Sequence, residues 1–462
     1  MLKKVSVLLS FIITFVNLFA FGNISFAETP PPNISAQYAV LMDYTSGQVL
    51  YEKNSNANLY PASTTKMWTA YLTLKYAKNL DEVVTVGNIG TVGGTSMYLV
   101  PGEQVTVRQL LEGLLLVSGN DAAVVLAQHI SGSIPEFANL MNEEAKKIGA
   151  KNTHFHNPNG LPDPEHYTSA YDMALMAREA MNNEDFRNIV NKKTIKVPAT
   201  NLSPERTLIN TNKFLTGTTT IPYKGQNTDI KYDIVDGIKT GYTDDAGKCL
   251  LSSAKKDDMR LVAAVFKADG EPNLYTDSRT LLDYGFDNFK SQKAIEKNDF
   301  VDSKFIWYAK GRKLEYAPKY SYYTVINKGE TTPTFEAKAN LNDIKLPIKK
   351  GDTVGTLEVY KDKGKNPVAN IPLIAQNDVT NVFSSILNNP IVKSLQSIII
   401  GAILIVVLFI VLVLVRKKVR RKKRRKNIYA KKKSNMYSNK KIVEEDIKKE
   451  ANSLFFIIRI FF

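Results

Sequence analysis

The strongest constraint on this chain is an 18-residue run, Ile398 to Val415, that contains no polar side chain. At about 1.5 Å per residue, a helix of that length rises roughly 27 Å, close to the hydrocarbon thickness of a bilayer. A segment inside lipid must satisfy its own backbone hydrogen bonds, so the run is expected to be a transmembrane helix, 398–415. Ten of the eleven residues that follow, Arg416 to Lys426, are Lys or Arg. Positive flanks stay on the cytoplasmic side, so the basic tail, 416–462, is expected inside the cell and the preceding body outside it. The same run suits anionic lipid headgroups, which makes membrane lipid an expected partner.

The other end of the chain agrees. Lys3 and Lys4 precede an apolar stretch from Val5 to Phe21, and Ser25-Phe26-Ala27 offers small residues at the −3 and −1 positions of a cleavage site. Residues 1–27 are read as a secretory signal peptide, cut after Ala27.

This arrangement reinterprets the charge. A formal net charge of +16 would ordinarily suggest nucleic acid. Yet residues 416–462 hold 18 basic and 4 acidic side chains, and the signal peptide holds two lysines and no acid. The body, 28–415, has 41 of each sign and no net charge. Nucleic acid is therefore not an expected partner. The single cysteine, Cys249, excludes an internal disulfide and a four-cysteine metal site. It lies in an apolar strand-like run and is expected to be buried packing.

The body reads as two folded parts. Ala39–Asp43, a Thr45-Ser46-Gly47 turn and Val49–Tyr51 form a hairpin pattern. Helical patterns follow at Val105–Val117, Asp121–Ile130 and Ala170–Met181, and strand patterns return at Cys249–Ser252 and Leu261–Phe266. Strands early and late with helices between predict an α+β domain, 28–287, whose sheet joins both ends of the segment. Flanking helices and a helical subdomain complete it. From 288 to 376, short runs such as Phe305–Tyr308, Tyr322–Ile326 and Thr356–Tyr360 alternate with Gly, Pro and Lys turns, which predicts a small all-β domain. In 377–397, Val379, Val382, Phe383, Ile386 and Leu387 share one helical face. That face suits either the membrane surface or packing on the preceding domain.

Three short motifs carry chemistry. Ser63-Thr64-Thr65-Lys66 would put Lys66 beside Ser63 at the start of a helix. A serine hydroxyl needs a base, and a lysine serves only when burial or a nearby cation leaves it neutral. The motif alone also fits a capped, solvated helix. Ser118-Gly119-Asn120 lies between two apolar helices and fits a helix–helix turn, with Asn120 or Asp121 as cap. It also fits a proton relay (Ser118) beside an amide that binds substrate (Asn120). Lys239-Thr240-Gly241 lies in a strand pattern that puts Lys239 and Gly241 on one face. An ordinary surface strand fits, and so does a site in which the cation holds a carboxylate and the glycine admits a ligand backbone.

Taken together and in this order, S-x-x-K, S-x-N and K-T-G are the signature of penicillin-binding proteins and related β-lactamases. The S-G-N form resembles the serine D-alanyl-D-alanine carboxypeptidases among the low-molecular-weight penicillin-binding proteins. So do Ser96-Met97-Tyr98-Leu99, Asn157-x-Asn159-Gly160-Leu161, Ser169–Ala174 and Val235–Gly247. The resemblance covers roughly residues 34 to 390. It implies the β-lactamase/penicillin-binding-protein fold and a catalytic set of Ser63 as nucleophile, Lys66 as base and Ser118 as relay. It implies substrate binding by Asn120, Lys239, Thr240, Gly241 and Tyr242, with backbone N–H groups of Ser63 and Tyr242 as the oxyanion hole. Peptidoglycan stem peptides ending in D-Ala-D-Ala would be the substrate, and β-lactam antibiotics would be covalent inhibitors. No cofactor and no metal would be needed. Some relatives have His where this chain has Tyr242, so pocket preference can differ there.

Other readings compete. A class A β-lactamase would need a further glutamate. Glu165 is present, but without an E-x-x-L-N pattern. A transpeptidase or endopeptidase differs only in the acceptor. A non-catalytic wall-binding anchor would not need Ser63 and Lys66. His154, His156 and His166 cluster in sequence, but there is no H-E-x-x-H, and no metal is expected.

Overall fold

The computed structural model describes residues 30–297, 301–382 and 389–432. The expected signal peptide, Phe383, Ile386 and Leu387 of the membrane-proximal face, and the end of the tail from 433 lie outside the described residues.

Continuous apolar runs become the middle of the fold. A five-stranded antiparallel sheet is built from β1 (Tyr38–Asp43), β2 (Val49–Lys53), β3 (Val235–Thr243), β4 (Gly247–Lys256) and β5 (Met259–Ala268). Its spatial order is β2-β1-β5-β4-β3. β1 pairs with β5, Tyr38 opposite Phe266 and Asp43 opposite Leu261, so the two ends of the segment meet in one sheet. Alternate residues face opposite ways. Val40, Met42, Val262, Ala264 and Phe266 enter one core, while Ala39, Leu41, Leu261, Ala263 and Val265 enter another. Because helices cover both faces, the central strands are apolar on both sides and show no alternation.

The first core holds α1 (Thr65–Tyr76), α2 (Val107–Leu116), α3 (Asn120–Ser131), α4 (Ile134–Lys147) and α5 (Ala170–Ala180). Helix α6 (Gly270–Asn288) covers the other face through Leu274, Leu281, Leu282 and Phe286. Helix α1 is buried from Thr65 to Ala70. Its polar groups are satisfied internally: Trp68 Nε1 donates to Met141 O (3.1 Å) and Thr69 Oγ1 to Pro158 O (2.6 Å). Helix α2 opens on a capping box in which Thr106 and Gln109 exchange side-chain and backbone hydrogen bonds. The expectation of an Asn120 or Asp121 cap is not met. Gly119 takes the N-cap position of α3 without a side-chain cap, which leaves both side chains for other contacts.

From Phe289 to Ala375 the described elements are all strands. Strands β6 (Phe289–Ile295) and β7 (Tyr322–Asn327) pair antiparallel, and β9 (Thr353–Lys361) pairs with both β8 (Phe335–Leu341) and β10 (Ala369–Ala375). Of the expected Phe305–Tyr308 strand only Phe305 is extended, as the end of Asp302–Phe305, and the next residues turn. The architecture is the expected α+β fold with a C-terminal all-β part.

The described chain forms two compact units. One contains residues up to 302 with Tyr316–Asp343 and Thr353–Ile374. The other contains Ser303–Glu315, Ile344–Asp352 and the chain from Ala375. Within the second, Val379 is fully buried and bridges to Ile348, and Asn381 bridges to Ala309. Residues 379–381 are thus extended. The chain then enters α7 (Pro390–Lys432), whose portion Pro390–Arg421 is long and apolar enough to cross a membrane. It includes the expected span 398–415.

Candidate active site

Ser63 sits in a 3-10 turn, Ala62–Thr64, immediately before α1. The turn preserves the i to i+3 neighbour relation, and Lys66 Nζ donates to Ser63 Oγ at 2.8 Å. The lysine also donates to the Asn159 carbonyl at 2.6 Å, which aims it across the hydroxyl. Lys66 is 0% exposed. Burial holds its pKa well below the ordinary lysine value, the positive field of Lys239 lowers it further, and Asp121 opposes both. A neutral amine beside a serine hydroxyl is what general-base activation requires.

Lys239 is 1% exposed, and burial lowers its pKa to about 7. Its Nζ donates to the Thr240 carbonyl (3.0 Å), and the Thr240 and Thr211 hydroxyls lie 2.8 Å apart. Gly241 lies against the nucleophile turn. A Cβ there would come within 3.1 Å of Thr64 N, 3.2 Å of Ser63 N and 3.2 Å of Pro61 O, so a side chain would press on the nucleophile turn and glycine favours this close approach. Tyr242 turns outward at 54% exposure, its hydroxyl donating to Asp244 (2.9 Å) and its ring under Lys248. Only its backbone faces the β3–β4 pairing, opposite Lys248.

Ser118 and Asn120 stand at the turn into α3. Ser118 has a left-handed backbone (φ +62°), a conformation that costs a side-chain-bearing residue free energy and clusters at functional sites. Its buried Oγ has no partner, and neither does Asn120 Oδ1. Asn120 Nδ2 donates to Gly93 O (2.6 Å) and Asn120 N to Thr95 O (2.8 Å), which fixes the amide. Two buried polar atoms at this turn leave a hydroxyl that can donate or accept and an amide oxygen that can accept, as a polar ligand would require.

Several contributors are absent from the three motifs. Asn159 acts through its carbonyl, and Gly160 (φ +81°) permits the approach, since a Cβ would fall 1.8 Å from Ala62 O. The flanking N-x-N-G-L segment is the sequence signal for both. Asp121 accepts from Met97 N (3.0 Å), Leu99 N (2.9 Å) and Ser96 Oγ (2.5 Å), holding that loop segment to the site. His166 Nδ1 accepts from His156 N (3.1 Å), so the proton sits on Nε2, which faces Thr65 Oγ1 at 2.9 Å.

The three clustered histidines do not converge on one point. His156 instead has Asp163 and Glu165 nearby, with one possible ligand atom of each within 4.8 Å of the others. The group is largely exposed, and Glu165 points outward. Cys249 is fully buried, and burial pushes its thiol up to about 12.

Comparison with known proteins follows the same lines. Residues 25–270 match the family model for D-alanyl-D-alanine carboxypeptidase of the peptidase S11 group, and residues 289–381 match the C-terminal domain of penicillin-binding protein 5. The chain is 34% identical to the D-alanyl-D-alanine carboxypeptidase DacF of Bacillus subtilis, over 80% of this chain and 94% of that protein. It is 34% identical to DacD of Escherichia coli, over 78% and 91%. The solved penicillin-binding protein 5 of Haemophilus influenzae superposes with a TM-score of 0.60 at 33% identity, covering 76% of this chain and all of that one. The chain belongs to the peptidase S11 family of D-alanyl-D-alanine carboxypeptidases.

Proposed function

We propose that this protein is a serine D-alanyl-D-alanine carboxypeptidase that trims pentapeptide stems of peptidoglycan and is acylated by β-lactams. The observation that carries the reading is the fully buried Lys66 with its amine 2.8 Å from Ser63 Oγ.

Ser63 Oγ attacks the carbonyl between the two D-alanines while its proton passes to neutral Lys66. The new C–O bond places negative charge on the carbonyl oxygen, received by the backbone N–H groups of Ser63 and Tyr242. Collapse breaks the C–N bond. The proton returns from Lys66 to the departing amine, with Ser118 Oγ as relay, and D-alanine leaves. Lys66 then deprotonates a water, which attacks the ester and frees the shortened peptide. Cationic Lys239 and the Thr240 hydroxyl hold the terminal carboxylate, Gly241 lets the peptide backbone approach, and Asn120 binds a substrate amide.

In the same reading, residues 1–27 are the export signal, 28–287 the catalytic domain and 288–376 the small β domain. Residues 377–397 lead to the span at 398–415, and the basic tail, 416–462, remains cytoplasmic near anionic lipid. The catalytic serine then faces the wall. Fluorescent penicillin on membranes tests the reading: wild type gives one covalently labelled band of this mass, and Ser63→Ala gives none. An unlabelled wild-type protein would count against it.

A further inference from the structure

The second unit carries a surface that the peptidase reaction does not use. Phe305 is 68% exposed and Trp307 is 70% exposed, while Ile306 between them is buried, so both rings are turned outward. Their loop is tied to the segment that leads into α7. Lys310 N donates to Thr380 O (2.8 Å) and Val382 N donates to Tyr308 O (3.0 Å). The apolar helix begins at Pro390. The eight-residue step from Val382 spans at most ~29 Å.

Charge follows the same pattern. Within Ser303–Glu315, Ile344–Asp352 and residues 375–382 there are seven exposed Lys or Arg side chains, among them Lys304, Lys310 and Arg312. The same segments hold three carboxylates, Glu315, Asp352 and Asp378, whereas residues 28–415 as a whole are neutral. Exposed aromatic rings among cations, close in the chain to a spanning helix, match the chemistry of the lipid–water interface. Rings sit at headgroup depth and cations meet anionic phosphates.

We propose that this loop docks on the outer leaflet of the membrane, with Phe305 and Trp307 at headgroup depth and the neighbouring lysines and arginine on anionic lipid. The spanning helix would then be one of two membrane contacts. The proposal rests on the orientation given under Proposed function.

The full-length protein in phosphatidylglycerol vesicles, brominated on the acyl chains near the headgroup, provides the test. The chain has two tryptophans, and Trp68 is fully buried, so Trp307 is the one lipid can reach. A Trp307→Phe variant supplies the Trp68 background. The Trp307 emission is expected to fall about twofold relative to unbrominated vesicles, as for a ring at headgroup depth. Replacing Lys304, Lys310 and Arg312 with Gln should weaken that quenching. Unquenched Trp307 in protein that resists alkaline carbonate extraction would overturn this proposal alone. Protein stripped off by carbonate would overturn the membrane anchor and this proposal with it. Trp307 unquenched by lipid but blue-shifted by purified wall polymer would assign the patch to the polymer instead.

Discussion

At the scale of single residues, two lysines in one site have opposite requirements. In the proposed reaction Lys66 takes a proton and must be neutral, whereas Lys239 holds a carboxylate and must be charged. With Lys239 lowered to about 7 by burial, its charge is present below that pH and lost above it. On the alkaline side kcat/KM for a D-Ala-D-Ala peptide should fall about tenfold per pH unit, chiefly through KM. Lys239→Arg, charged at all accessible pH, should remove that limb even if it lowers activity overall. His166 makes a separate prediction. Burial lowers its pKa to about 4 from an ordinary 6.5, so the unfolded chain binds the extra proton between those values. The stabilisation is complete above about pH 6.5 and is lost as pH falls toward 4, for a total of about 3 kcal/mol. Denaturant titrations across that range should show this slope in wild type and lose it in His166→Gln. Gly160→Ala should destabilise by about 2 kcal/mol and slow acylation, because a Cβ there cannot coexist with Ala62 O. The side chains of the site were legible as three short motifs. The N-x-N-G-L segment flagged the neighbourhood of Asn159, but not that its backbone carbonyl receives Lys66, and the turn at Ser118 was legible without its left-handed backbone, because backbone geometry bears no residue-type signal.

At the scale of elements, the two-sided core separates what could be read from what could not. Strands β1 and β5 were visible as dense apolar runs, and their pairing followed from strands early and late in one segment. Helix α1 has no clear stripe because it is surrounded by protein, and its threonines and Trp68 are satisfied by carbonyls from other elements. Periodicity does not reveal such a helix. The end of the α+β part is secured by Asp277 on α6, whose carboxylate accepts from Ser35 N (3.1 Å), Ser35 Oγ (2.7 Å) and Ala36 N (2.8 Å). Asp277→Ala strands those donors beside the first strand. It should cost about 2–3 kcal/mol in thermal or denaturant unfolding while leaving the acylation rate of the folded fraction unchanged. A matched loss of acylation rate would mean that α6 also shapes the site.

At the scale of the whole molecule, charge and apolarity are segregated along the chain. The basic excess lies at the two ends and the body is neutral, so in the proposed topology the +16 belongs to the export signal and the cytoplasmic tail. That division was legible because lipid imposes a length and a flank rule on sequence. The mixed composition of the second unit was not, since residues brought together there come from three separate stretches. The central claim is that Ser63, activated by buried Lys66, opens a D-Ala-D-Ala bond to water. The most direct measurement is D-alanine released from a stem pentapeptide by wild type and by Ser63→Ala. The account predicts one D-alanine per peptide for wild type and a rate lower by about a thousandfold or more for the variant. Equal rates for the two proteins would contradict it.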